Sequence, residues 1–262
     1  MRASAPGAVV GVAYPSIYET VMAIHERAAE LGIVPIENSL EGAVTTTLDL
    51  LAGEAEDVRI AAEVDFPVSH LLVARGPLPL EQVTRVISHP QASAQCARFL
   101  RERLPGAERV AAGSTAEAVR MVAASAEPWA AIGSRLAAEL YGAVALAEGV
   151  EDHPGNETRF VWLAPDGFEP WAEPNKTSIV FWGFNDVSPG ALVDVLTELS
   201  SREINLTKIE SRPRRMGLGH YIFFADLDGA VGDPHVDEAL AALASRVETM
   251  RVLGSYPAES AR

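Results

Sequence analysis

Asn156-Glu157-Thr158-Arg159-Phe160-Val161 is the stretch at which this chain turns back on itself, and its reading decides the fold. Phe160 to Leu163 is an apolar run of strand length, and a strand sends successive side chains to opposite faces. Thr158 and Phe160 therefore share one face, and Arg159 takes the other. A neutral hydroxyl donor thus stands beside a fixed cation at the mouth of a buried strand. The pairing suits an anionic substrate whose leaving group needs a hydrogen bond. Alternation leaves Arg159 two roles, holding a substrate carboxylate or turning away into a structural ion pair.

The chain before this run alternates strand and helix. Ser16-Ile17-Tyr18-Glu19 reads as a capping box, and apolar residues follow at Ile17, Val21, Ile24, Ala28 and Leu31 as a helical stripe. Ile33 to Ile36 is a short buried strand ending in Glu37-Asn38-Ser39, and a helix runs through Thr47 to Leu51. Ile60 to Val64 and His70 to Ala74 read as strands. Gly76-Pro77-Leu78-Pro79 is the clearest turn and marks a hinge.

A second alternating unit follows. Val83 to Ile87 is a strand, and Pro90 sits at the first turn of a helix running to Arg103. Ser114 to Glu117 is another capping box, opening a helix to about Ser125. Ala130 to Gly133 is a strand, Ser134 to Leu140 a helix and Val144 to Leu146 a strand. Two α/β lobes with a cleft between them are expected, joined at Gly76-Pro77 and again near Thr158. Pro165 to Pro174 reads as a linker. Beyond it come a strand (Thr177 to Gly183), a helix (Gly190 to Ser201), strands at Leu206 to Ser211 and Tyr221 to Asp226, a helix (His235 to Arg246) and a strand (Val252 to Tyr256). This βαββαβ order is ferredoxin-like.

Composition narrows the function classes. With 262 residues, 48% hydrophobic, there is length for a substantial core. A formal charge of −15 argues against nucleic acid or an anionic membrane surface as partner, because both demand basic patches. Cations are nearly all Arg, Lys176 and Lys208 being the only lysines, as a GC-rich genome would give. The single Cys96 excludes an intrachain disulfide framework and suits a reducing compartment. Met1 to Gly11 lacks an apolar core of signal-peptide length, and no later run is long enough to span a bilayer, so the cytoplasm is the expected location.

The six histidines are scattered with no HxxxH pair, so zinc and catalytic-thiol chemistry have little support. There is no GxSxG elbow, Walker loop or GxGxxG after a strand. What remains are three strand-to-helix junctions with small polar residues: Asn38-Ser39, Ser88-His89-Pro90-Gln91 and Gly133-Ser134. Helix N-termini bind carboxylates and phosphates, and ligands of α/β sheets sit at the carboxyl ends of strands. For any one of these residues an N-capping role accounts equally well. Three such junctions and Arg159 converging on one cleft point to a small anionic ligand. His89 reads as ordering its loop, Cys96 as a small hydrophobe on a helix face, and Glu37 as either an acid or a tie within its own loop.

Together these residues resemble the prephenate dehydratase family. Gly32-Ile33-Val34-Pro35-Ile36-Glu37-Asn38-Ser39, with Gly42 and Leu48-Asp49-Leu50-Leu51, resembles the family's PIENS block, and Ser88 to Ala92 its second loop. Tyr141-Gly142 leading through Asp152 to Thr158-Arg159-Phe160 resembles its catalytic signature, with Ala143 where a larger aliphatic residue is usual. Gly190-Ala191-Leu192 and Leu206 to Pro213 resemble its regulatory ACT domain. The likeness runs from about Tyr14 onward.

The resemblance implies a type-2 periplasmic-binding-protein-like α/β catalytic region over residues 1–172, with lobe 1 about 1–75 plus 159–172 and lobe 2 about 76–158. A ferredoxin-like ACT domain over 176–262 follows. It implies conversion of prephenate to phenylpyruvate with loss of carbon dioxide and water, without metal or organic cofactor. Thr158 would be catalytic, as a preorganised hydrogen-bond donor. Asn38, Ser39, Ser88, Gln91, Ser134, Arg159 and Phe160 would bind substrate. Gly190, Ala191, Leu192, Glu210, Ser211, Arg212 and Pro213 would bind L-phenylalanine as allosteric ligand, in a homodimer or homotetramer. The family's opening strand and GPxGTxS-type loop have no counterpart here, so one strand–helix pair, roughly 25–35 residues, is expected to be missing before Met1. A misplaced start codon is the expected reason. The alternatives are a catalytically impaired amino-acid sensor and an arogenate dehydratase.

Overall fold

The computed structural model describes residues 10–184, 189–214 and 219–258. Helix α1 (Ile17–His25) opens on the expected cap, Ser16 Oγ accepting from Glu19 N at 3.2 Å. It stops well short of Leu31. Arg27 takes a left-handed φ of 60°, and the N–H groups of Ala28 and Ala29 both close on the Ala23 carbonyl, so the apolar stripe outlasts the helix. Strand β1 (Gly32–Asn38), the two-residue β2 (Gly42–Ala43), helix α2 (Thr45–Ala52) and strand β3 (Val58–Pro67) follow.

The chain divides into two compact units, Met1–Phe66 with Thr158–Arg262, and Pro67–Glu157. The crossings fall between Phe66 and Pro67 and between Glu157 and Thr158. Gly76-Pro77, expected as the first hinge, lies inside the second unit instead. The strand before it, β4 (Leu71–Ala74), is an interior strand of that unit's sheet and pairs on both sides, so the chain has already changed units.

The second unit continues through β5 (Arg85–Ser88), α3 (Pro90–Gln95), α4 (Ala97–Arg103), β6 (Glu108–Ala111), α5 (Thr115–Ala124), β7 (Trp129–Gly133), α6 (Arg135–Tyr141) and β8 (Val144–Glu148). Its sheet runs β6-β5-β7-β4-β8. Leu72, Val86, Ala130 and Ile132 pack under α3 and α4, while Leu71, Val73, Ile87 and Ala131 pack under α5 and α6. Burial on both faces explains why these strands read as continuous apolar runs. β6 escapes sequence reading because it is a short edge strand, held beside β5 by an Arg85–Glu108 ion pair at 2.7 Å.

The helix expected from Pro90 to Arg103 is two helices. Cys96 leaves helical geometry at φ −114°, ψ 19°. Asp152 causes the break: its N–H takes the Gln95 carbonyl at 2.7 Å, and its carboxylate accepts from Arg98 N at 2.9 Å and Phe99 N at 3.4 Å. One distant aspartate thus ends α3 and caps α4. Cys96 is fully buried, and burial, followed by Glu151 and Asp152, pushes its thiol up to about 12. It is inert.

The first unit resumes with β9 (Glu157–Pro165), β10 (Lys176–Trp182), α7 (Ala191–Ser200), β11 (Leu206–Pro213), β12 (Tyr221–Asp228), α8 (Pro234–Ala244) and β13 (Thr249–Tyr256). It holds two sheets, β2-β1-β9-β3 and β11-β12-β10-β13. The second has the βαββαβ order and strand arrangement of a ferredoxin-like fold. The segment expected as a linker is packed, Trp171 sitting edge-on to Trp162 and Phe168 with centroids 6.1 and 5.9 Å away.

Helices α7 and α8 cover one face of the C-terminal sheet through Ile179, Phe181, Ala225 and Leu227. Its other face, through Val180, Phe224, Leu253 and Tyr256, shares a core with Val21, Ile24, Leu51, Ile60, Val161 and Leu163. Polar contacts reinforce this. Arg251 donates to the carbonyls of Leu51 and Ala52 at the end of α2 and of Glu56 in the loop beyond it, and Arg212 pairs with Asp49 at 3.3 Å. β13 passes so close to β3 that a Cβ on Gly254 would collide with the Ile60 carbonyl. Residues 1–9 and 259–262, inside the expected domain limits, lie outside the described residues.

Candidate functional site

Strands β1 and β9 pair antiparallel, with Asn38 opposite Thr158 and Glu37 opposite Arg159. A register shift between Pro35 and Glu37 bends β1 just before this end. The two adjacent pairs face opposite ways, and each has its own chemistry.

On one face, Asn38 Nδ2 donates to Thr158 Oγ1 at 3.0 Å. The amide cannot be turned round, because Asn38 Oδ1 already accepts from Leu40 N at 3.0 Å and Glu41 N at 3.1 Å. Thr158 Oγ1 is therefore an acceptor toward Asn38, which leaves its own O–H proton to be donated elsewhere. The geometry leaves the Thr158 hydroxyl able to act as a donor. Phe160 is on the same face, edge-on to Phe66 at 6.5 Å, and Ser39 is exposed in the turn after β1.

On the other face, Arg159 is committed to three carboxylates: Glu37 at 3.0 Å, Glu63 at 3.1 Å and Asp226 at 2.7 Å. The Glu63 contact is aligned as a hydrogen bond, whereas those to Glu37 and Asp226 are ion pairs off the N–H axis. Burial works against the guanidinium's charge, but Asp226, Tyr256, Glu63 and Glu37 outweigh it and raise its pKa. Arg159 was expected either to bind substrate or to turn into a structural ion pair, and here its guanidinium is engaged in ion pairs.

Of the expected residues in the second unit, Ser88 lies inside the sheet. Its hydroxyl is fully buried and donates to the Ile132 carbonyl at 2.9 Å, stitching β5 to β7. Gln91 is exposed at the start of α3, its N–H directed at His89 Nδ1 at 3.3 Å, as suits a loop-ordering histidine. Ser134 caps α6, accepting from Ala137 N at 3.2 Å. Both helices begin at the carboxyl ends of strands β5 and β7. These are parallel neighbours, so the two junctions lie side by side.

Sequence reading missed the buried His70, whose Nε2 meets Gln95 Oε1 at 2.9 Å and whose N–H is taken by Glu151 at 2.9 Å. It also missed the partners of Arg159. In the C-terminal sheet, Gly190 starts α7 with a left-handed φ of 89°, and Leu192 packs into the helix-covered core. Ala191 is half-buried at the first position of α7. Along β11, Glu210 and Arg212 point inward while Ser211 and Pro213 are exposed, and Arg212 is already engaged by Asp49. Among the described residues no group of three or more His, Cys, Asp or Glu is placed to hold a metal ion.

A family profile described as prephenate dehydratase matches residues 2–167, and one described as ACT domain matches residues 178–245. A prephenate dehydratase of Mycolicibacterium vanbaalenii is 42% identical over 250 residues, which cover 95% of this chain and 79% of that protein. Among solved structures, the Arthrobacter aurescens prephenate dehydratase in complex with L-Phe matches with a TM-score of 0.81 at 37% identity, covering 93% of this chain and 80% of that one. GqqA, described as a novel type of quorum quenching acylase, matches with a TM-score of 0.80 at 32% identity, covering 94% and 88%. The fold is the expected type-2 periplasmic-binding-protein-like α/β region followed by an ACT domain.

Proposed function

Because this chain belongs to the prephenate dehydratase family of carbon–oxygen lyases, we propose that it converts prephenate to phenylpyruvate, with L-phenylalanine as the ligand of its ACT domain. In this reaction the bond to the ring carboxylate breaks and releases carbon dioxide. Its electron pair makes the ring aromatic, and the ring hydroxyl departs as water with one proton from the medium. The product's aromaticity supplies the driving force, so the protein needs to hold two carboxylates and stabilise a departing oxygen. Thr158 takes the second task. Its hydroxyl is too weak an acid to protonate the leaving group outright and acts as a preorganised hydrogen-bond donor.

The observation that carries this reading is the Asn38 amide, which occupies Thr158 Oγ1 as acceptor and leaves its proton for the substrate. Ser39, Gln91, Ser134 and Phe160 keep substrate-binding roles in the proposal, Gln91 and Ser134 through the helix starts they mark. For an acyl-transfer reading, such as GqqA's description carries, Cys96 is a poor nucleophile, because it is buried and its thiol is pushed up to about 12.

Asn38→Asp probes the arrangement sharply. An aspartate retains the acceptor for Leu40 N and Glu41 N but presents a second acceptor to Thr158. The threonine proton is then drawn to the carboxylate, and kcat is expected to fall by about 10²-fold with the fold intact. Initial rates and a circular-dichroism melt check both parts.

L-phenylalanine sensing draws support from the ligand named for the Arthrobacter structure. We place it at Gly190 to Leu192 and Glu210 to Pro213, with Arg212 contributing only if it leaves Asp49. β11 is an edge strand with Ile209 exposed, which favours pairing with a second copy as a homodimer or homotetramer. No helix among the described residues is long and apolar enough to cross a membrane, consistent with the cytoplasmic location we propose.

The test presents the purified protein with prephenate and with arogenate in parallel. Phenylpyruvate from prephenate is the expected result, and turnover of arogenate alone moves the substrate to the amino-bearing analogue. Turnover of neither, with L-phenylalanine still binding by calorimetry, makes the chain a sensor.

A further inference from the structure

The ion pairs of Arg159 belong to a larger cluster that the chemistry above does not use. Glu37 also meets Lys208 at 3.1 Å, and Glu63 also meets Lys176 at 2.6 Å. Asp226 accepts from Ser178 Oγ at 2.6 Å, and Ser178 in turn meets the buried Tyr256 hydroxyl at 2.7 Å. Three cations thus face three carboxylates. Glu63 and Asp226 are buried, and no cation's side chain is more than 15% exposed. Lys176, Lys208 and Asp226 come from the ACT sheet, whereas Glu37, Glu63 and Arg159 come from the sheet that carries the Asn38–Thr158 pair. Both lysines of a chain otherwise furnished with arginine are spent here.

The ladder changes register between Pro35 and Glu37, and beyond that shift Glu37 and Asn38 pair with Arg159 and Thr158 of β9 on one side and with β2 on the other. The side-chain ties of Glu37 act on this same end of β1, just past the irregularity. Glu37 and Asn38 are adjacent, as are Thr158 and Arg159, and alternation puts the ion cluster behind the pair that faces the substrate.

We propose that the cluster is a positioning device. Charges on the ACT sheet hold Glu37 and Arg159 from behind and so fix the backbone that presents Asn38 and Thr158 in front. Lys208 and Lys176 are positioning residues that touch no substrate. Buried ion pairs serve this purpose well, because they fix geometry even where they add little net stability. The catalytic consequence rests on the dehydratase reading; the structural one does not.

The experiment uses Lys208→Met, Lys176→Met and the paired Glu37→Gln/Lys208→Met variant, which removes both partners and leaves no unpaired charge. Two quantities are measured: amide hydrogen exchange of residues 157–160, and kcat and KM for prephenate. Exchange is expected to speed at least tenfold in each variant. kcat is expected to fall about tenfold with KM changed less than threefold. The paired variant should regain the wild-type melting temperature while its kcat stays low, which a merely structural role would not produce. Exchange within twofold of wild type in folded variants overturns the proposal, as does recovery of kcat in the paired variant. If the wild-type protein turns over no prephenate, the dehydratase reading fails, and hydrogen exchange alone decides this inference.

Discussion

Thr158→Val is expected to lower kcat for prephenate by about 10²–10³-fold while leaving the fold and KM nearly unchanged. Valine matches threonine in shape and keeps the β-branched preference of β9, so only the hydroxyl is lost. Ground-state contacts to the carboxylates are not touched, and the deficit therefore falls on the step in which charge develops on the departing oxygen. Thr158→Ser keeps the donor with a freer rotor and is expected within about tenfold of wild type. Steady-state kinetics on both variants check the pair of outcomes. A valine variant as fast as the serine variant would remove Thr158 from the chemistry.

The second large effect concerns stability. Arg159→Met leaves Glu37, Glu63 and Asp226 with only Lys176 and Lys208 to balance them in a buried site. Removing one partner of a buried ionic network costs about 3–5 kcal/mol, because the remaining charges stay desolvated. Since Arg159's pKa is raised in the folded state, the stability it contributes is present throughout the neutral range and is lost only as pH climbs above the ordinary arginine value. Urea unfolding monitored by tryptophan fluorescence measures the difference. An arginine that instead held substrate would give a raised KM with stability within about 0.5 kcal/mol of wild type.

These predictions show where sequence reading reaches its limit. The ferredoxin-like order was legible because its elements are separate, periodic and bounded by turns. The strands of the second unit were legible as apolar runs buried on both faces. The break at Cys96 was not, because it is caused by Asp152, which meets the helix only after the chain has folded. The end of α1 was missed because a left-handed Arg27 stops the helix in mid-stripe, and arginine carries no signal for that conformation.

The site divides the same way. Alternation along β9 separates Thr158 from Arg159 on sequence alone, and the structure selects the structural role for the arginine. The partners that make this so lie elsewhere in the chain: Glu37 and Glu63 precede Arg159 and Asp226 follows it, with Lys176 and Lys208 completing the cluster. Local pattern could not pair them, although the scarcity of lysine was a usable signal. The bond from Ser88 to the Ile132 carbonyl was not legible, because a serine after a buried strand serves equally as a ligand or as a stitch to the neighbouring strand. For Asn38, expected among the substrate binders, sequence did not show that its amide is divided between its own turn and Thr158.

The most direct test of the account is the time course of carbon dioxide and phenylpyruvate release from prephenate by the purified 262-residue protein, followed in one reaction. The account predicts both products in equal amounts, at a rate proportional to protein concentration and lost in Thr158→Val. Release no faster than in buffer, or a wild-type rate retained without the threonine hydroxyl, would contradict it.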